Sequence, residues 1–126
     1  MGLFSVNIEI GKPSAKPAFR PVQNMVVDTG SEMTWVSGQT LHQAGIKVRK
    51  KDLPFVMANG QRITRNTGYA IIRSGAFETV DEVVFAEEGD LQLLGARTLE
   101  GFNAVVDPRH KRLVAAGPMT AAGLER

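Results

Sequence analysis

Phe4, Val6, Ile8 and Ile10 alternate with small or polar residues, the two-residue period of a half-buried strand. GKPSAKP (11–17) breaks that period with Gly, two Pro and Ser, and predicts a turn-rich loop. Phe19 to Val27 returns as a second strand and delivers Asp28 at its C-terminal end, and Thr34, Trp35 and Val36 form a short third strand. Ser37 before GQTLHQAG predicts an N-cap, about two helical turns and a stop at Gly45. LPFVMANGQRIT then carries Asn59-Gly60 between extended flanks, the strongest hairpin signal in the chain. A second hairpin joins GYAIIR to FETVDEVVF through Ser74-Gly75. EEGD predicts a polar turn, LQLLGA a short apolar strand, and Thr98 to Gly101 a very short second helix that ends at Gly101. FNAVV, a DPRHK turn and RLVAA close the pattern, and GPMTAAGLER has no period. Strands at short spacing with two helical interruptions predict an all-β sandwich or barrel.

Composition narrows the chemistry. At 43% hydrophobic, 126 residues suffice for one domain with its own core, expected over residues 1–117 with a loose tail at 118–126. The chain has no cysteine, which removes disulfides, thiolate nucleophiles and Cys-ligated zinc. His42 and His110 are far apart and have no helix-face partner, so a metal site is not expected. Lys and Arg number 15 against 13 Asp and Glu, a net charge of +2, and basic residues gather in KVRKK (47–51) and RHKR (109–112). Without a base-stacking pattern they are read as solvated loop faces rather than a nucleic-acid site. No apolar run reaches membrane-spanning length and the start has no charged n-region or apolar h-region, so a cytoplasmic chain is expected.

Asp28-Thr29-Gly30 alone is ordinary turn chemistry, an acid accepting backbone N–H bonds beside a glycine that tolerates positive φ. Three features shift the balance. Val26 and Val27 place the acid at the end of a buried strand, where it is partly desolvated. Thr29 supplies a hydroxyl that can stiffen the loop. A hydrophobic-hydrophobic-Gly element, Leu93-Leu94-Gly95, stands far downstream, just before the short helix.

With these elements in this order, VVDTGSEMTWV, the MANGQRI hairpin and LLGARTLEGFNAVVDPRHKRLV, the chain resembles the retropepsin-like aspartic proteases, in particular the short retroviral-type domains of bacteria. The resemblance spans roughly Phe19 to Val114. It implies the retropepsin-like acid protease fold and an aspartic endopeptidase that is active as a homodimer, because one chain carries one Asp-Thr-Gly and the chemistry needs two carboxyls. Asp28, Thr29 and Gly30 would form the catalytic loop, with Thr29 bonding across the twofold. Ser31 stands where small residues are usual, and Glu32 where an acid contacts substrate backbone and pairs with an Arg. Here Ala96 occupies that Arg's position and Arg97 follows one place later.

Met33 and Trp35 would face either a cleft, with Leu91 and Leu93 opposite, or the core. Met57 to Ile63, including Ala58, Asn59 and Gly60, would be a flap over the substrate. Leu93, Leu94 and Gly95 would complete the binding surface. A peptide or protein substrate and a second copy of the chain are the implied partners, with no cofactor and no metal. The competing reading is a catalytically silent module of the same fold used for dimerisation or protein binding; a basic nucleic-acid-binding β domain ranks below both.

Overall fold

The computed structural model describes residues 4–121. Among the described residues, nine strands and two short helices follow one another as β1 (Ser5–Gly11), β2 (Phe19–Val27), β3 (Thr34–Ser37), α1 (Gly38–Gln43), β4 (Lys50–Val56), β5 (Arg62–Ser74), β6 (Phe77–Ala86), β7 (Leu93–Leu94), α2 (Ala96–Phe102), β8 (Ala104–Asp107) and β9 (Arg112–Ala115). The expected all-β class with two short helices is what the chain forms. Of the expected tail, residues 118–121 contain no strand or helix, and 122–126 lie outside the described residues.

Seven strands form one sheet in the order β1-β2-β7-β3-β6-β5-β4. It closes into a ring because Glu9 to Gly11 of β1 pair antiparallel with Ile71 to Arg73 of β5. β4 continues along the same edge of β5, pairing from Lys50↔Thr67 to Val56↔Arg62. Two parallel pairings lie inside the ring, β2 with β7 and β3 with β6. β8 and β9 make a separate two-stranded hairpin after α2.

The ring encloses the main core. Ile8 and Ile10 of β1 face inward with Val22, Met25 and Val27 of β2, Val36, Ile72, Val83, Phe85 and Leu94. The inward positions on β2 change parity between Val22 and Met25. A β-bulge causes this: Val6 pairs with Met25 and Ile8 with Val22, so β2 carries one extra residue there. Asn24 takes the bulge position at φ 60, and its N–H donates to the Asn7 side chain at 3.1 Å. Without the bulge, alternation from Val22 would send Val26 inward instead of Val27 and reverse the phase in which the chain reaches Asp28.

Three expectations about elements are corrected. The two hairpins share one long strand, because RIT and GYAIIR run on as the thirteen residues of β5. The LQLLGA strand shrinks to Leu93–Leu94. The second helix starts at Ala96, passes through Gly101 and ends at Asn103, which adopts the left-handed conformation at φ 53. Gly101 is required for packing: a Cβ there would collide with the Thr79 side chain of β6. α1 follows the expectation, with the Ser37 hydroxyl accepting from Thr40 N–H and Gly45 at φ 81. Among the described residues, no helix is long and apolar enough to cross a membrane.

Candidate active site

β2 runs parallel to β7 with Val26 beside Leu93 and Val27 beside Leu94. One residue further on, Asp28 N–H donates to the Leu94 carbonyl at 3.0 Å, so the acid leaves the sheet from a paired backbone. Its Oδ1 accepts from Gly30 N–H at 2.9 Å, and its carbonyl accepts from Ser31 N–H at 3.1 Å, which closes a tight acid-headed turn. Gly30 suits this turn because a Cβ there would stand 3.2 Å from Asp28 Oδ1. Ser31 Oγ donates to the Met33 carbonyl at 2.8 Å.

The start of α2 clamps the loop from below. Ala96 N–H donates to the Ser31 carbonyl at 2.8 Å and Arg97 N–H to the Glu32 carbonyl at 2.9 Å, so two of the helix's unpaired N-terminal donors are satisfied by the Asp28 loop. Gly95 makes the approach possible, since a Cβ there would collide with the Met33 carbonyl. Beneath it runs a chain of buried hydroxyls. Gly95 N–H donates to Thr34 Oγ1 at 2.9 Å, and Thr34 and Thr98 hydroxyls meet at 2.6 Å. Thr98 donates to Asp81 Oδ2 at 2.8 Å. Because Thr98 gives its one proton to Asp81, Thr34 is the donor in the hydroxyl pair. Both threonines are fully buried.

Asp28 is half-buried and opens on a cleft of about 930 Å³. One wall is the loop itself, through Asp28, Gly30, Ser31, Glu32, Met33 and Trp35. The second is the β4 side of the hairpin, Leu53 to Ala58, with Lys50 at its base. The third is Gly89, Asp90, Leu91 and Leu93, and Glu82 and Arg97 complete the lining. Met33 and Trp35 pack with Val84 and Ala86 in a small second core, against which Phe55, Met57 and Ile63 of the hairpin and Leu93 rest. Trp35 therefore answers to both alternatives: it is buried, and it lines the cleft, with the Phe55 ring edge-on at 5.2 Å between centroids.

Of the residues expected at the site, the structure brings Asp28, Gly30, Ser31, Glu32, Met33, Trp35, Met57, Ala58, Leu91 and Leu93 to this cleft. Five stand elsewhere. Thr29 is exposed at the apex of the loop, and Asn59 and Gly60 form the exposed tip of the hairpin, with Gly60 at φ 85. Leu94 points into the main core and Gly95 is buried beneath the loop, because successive strand residues face opposite ways. Glu32 and Arg97 approach to 3.7 Å between charged atoms on an exposed surface, so the one-residue displacement of the Arg still leaves the two in reach.

Sequence pattern does not mark Lys50, Leu53 to Val56, Glu82, Gly89 or Asp90. Glu82 Oε2 accepts from the buried Thr67 hydroxyl at 2.7 Å, and Lys50 lies 3.3 Å from Oε1. Arg65 holds Asp90 through Nε at 2.7 Å and Nη2 at 2.9 Å. These bonds keep the Asp90 carboxyl below the usual carboxylate range and raise the Arg65 guanidinium above its ordinary value. The link between Arg65 on β5 and Asp90 in the EEGD turn becomes visible only in the folded sheet, since the two stand 25 residues apart and no local motif joins them. Among the described residues, no group of three or more His, Cys, Asp or Glu could hold a metal ion.

A family model described as "gag-polyprotein putative aspartyl protease" matches residues 20–101, from β2 through most of α2. No curated protein and no solved structure matches the chain. The matched span contains the Asp28 loop, the β4–β5 hairpin and Leu93-Leu94-Gly95 together.

Proposed function

Because the chain belongs to the gag-polyprotein aspartyl protease family and has a retropepsin-like fold, we propose that it is an aspartic endopeptidase whose site forms from two copies of Asp28 across a homodimer twofold. The observation that carries this reading is the setting of Asp28: a half-buried carboxyl in a backbone-clamped turn, opening on a cleft lined by Met33, Trp35 and Leu93 with a hairpin on its far wall. An isolated turn acid needs none of that surrounding structure.

The chemistry requires the second copy. Two carboxyls a few ångströms apart cannot both ionise, so the pair holds one proton. The ionised carboxyl removes a proton from a water lying between the two. The hydroxide formed adds to the scissile carbonyl carbon, while the protonated carboxyl gives its proton to the carbonyl oxygen. Collapse of the tetrahedral intermediate breaks the C–N bond and expels the amine, which takes up a proton from the dyad while one hydroxyl of the intermediate returns a proton to it, leaving a carboxylic acid product and the pair again with one proton. The exposure of Thr29 on the loop supports its proposed role, a bond to the partner loop that fixes the two acids. Met33, Trp35, Leu93 and Phe55 favour apolar substrate side chains, and the β4–β5 hairpin acts as the flap that excludes water.

Asp28→Asn tests the reading. The variant keeps the volume and an oxygen that can accept from Gly30 N–H, so it is expected to fold as the wild type does. Digestion of a peptide library from acidic to neutral pH should fall by about a thousandfold or more, the scale expected when an essential general acid–base group is lost. Cleavage at wild-type rate by Asp28→Asn would end the proposal.

A further inference from the structure

Away from the Asp28 loop, one ion pair joins two walls of the cleft. Arg65 lies on β5 just beyond the point where that strand loses a neighbour: β6 pairs with β5 from Thr67 to Ser74, whereas Arg65 pairs with Leu53 of β4. Past Thr67, therefore, β4 and β5 leave the ring as a two-stranded hairpin. The Arg65 guanidinium reaches across to Asp90 in the turn between β6 and β7 and makes a two-pronged contact, with both side chains largely out of solvent at 14% and 10% exposure.

The receiving end is itself fixed. Asp90 Oδ2 also accepts from Glu87 N–H at 2.8 Å, and Asp90 N–H donates to the Glu87 carbonyl at 2.9 Å. The Glu87 carboxylate lies 3.6 Å from Arg65 Nη1, which donates to the Thr64 carbonyl at 2.8 Å. The turn that Arg65 grips carries Leu91 and leads to Leu93, and these face Leu53 to Ala58 across the cleft.

We propose that Arg65 and Asp90 are a positioning pair that latches the β4–β5 hairpin at a set height over the cleft and thereby controls admission of substrate rather than bond cleavage. The kinetic part rests on the protease reading above; the latch itself does not. A forked guanidinium–carboxylate contact is directional, so the hairpin cannot lift without losing two charge-assisted hydrogen bonds. Lysine at position 65 would keep the charge and lose the fork.

Trp35 is the chain's one tryptophan, and the hairpin's Phe55 lies edge-on to it, so its emission reports hairpin height without any need for cleavage. Arg65→Gln and Asp90→Asn should red-shift that emission and make it more accessible to acrylamide, with unchanged far-UV circular dichroism. In peptide assays KM should rise roughly tenfold while kcat changes less than about twofold. The exchanged pair Arg65→Asp with Asp90→Arg should recover part of both signals, and Arg65→Lys should fall between wild type and Arg65→Gln. Folded single variants with wild-type emission, quenching and KM would overturn the latch, and so would a collapse of kcat at constant KM. Should Arg65→Gln or Asp90→Asn not fold, Arg65→Lys carries the same readout, and wild-type emission, quenching and KM in that variant would overturn the latch equally. If the wild type cleaves no peptide, the protease reading fails, while Trp35 still decides the latch.

Discussion

Gly95 sits where three constraints meet: its N–H feeds the buried Thr34 hydroxyl, its neighbours clamp the Asp28 loop, and a Cβ would strike the Met33 carbonyl. Backbone on both sides is paired, so little can give way. Gly95→Ala should cost about 1–3 kcal/mol as overpacking and displace the loop, read as a lowered thermal midpoint together with lost cleavage. An unchanged midpoint would mean the approach is looser than it looks. Asp90 supplies a pH signature. Its folded-state pKa lies below the unfolded value of about 3.9, because Arg65 and Glu87 N–H bond to the carboxylate. The stability this contributes is fully present above the unfolded pKa and is lost as pH falls through the folded one. Wild type should therefore lose stability below about pH 4 more steeply than Asp90→Asn does, as measured by denaturant midpoints across that range. Sequence pattern shows such positions unevenly. Asp28-Thr29-Gly30 stands out because it ends a strand at two valines and is matched downstream by Leu93-Leu94-Gly95. Leu94 misleads, because adjacent residues on a strand face opposite ways and a motif of two leucines does not say which one meets the cleft. Gly101 misleads for another reason: a glycine near a helix end fits a stop and a close contact equally well, and only the position of Thr79 decides.

At the scale of elements, α2 is the support for the site. Its first two N–H groups hold the loop, and Thr98 on its buried face passes hydrogen bonding from Thr34 to Asp81 on β6. Thr98→Val keeps the shape and leaves the Thr34 hydroxyl without its acceptor and Asp81 without that donor. A loss of about 1–3 kcal/mol follows from unpaired buried polar groups, measurable by urea denaturation; Leu99→Ala would instead report apolar packing. Most strands and α1 could be read from alternation, the Asn-Gly turn and the Ser37 cap, since these signals are local. Two features could not. The continuity of β5 across both hairpins depends on β4 and β1 sharing one of its edges, and the bulge at Asn24 depends on pairing with β1. Val22, Met25 and Val27 do carry a trace of that bulge as a break in two-residue parity, although a break alone does not name the residue that is looped out.

At the scale of the molecule, the ring of strands brings one Asp28, one hairpin and one Leu93-Leu94-Gly95 element to a single cleft. The order of those elements was legible because it is a property of the chain. The cleft's remaining wall, built from Glu82 and Asp90 and gripped through Thr67 and Arg65, is a property of the closed sheet. In the proposed mechanism each chain holds half of a catalytic pair, and the other half comes from a second copy. Subunit mixing tests this most directly. With the amount of wild type held constant, an equal amount of Asp28→Asn protein is added, subunits are allowed to exchange, and peptide cleavage is measured. A shared site predicts a fall to about half, since random pairing leaves about a quarter of twice as many dimers with both acids. Cleavage that stays at the original level whatever the excess of Asp28→Asn would contradict the shared site, because each chain would then be working alone.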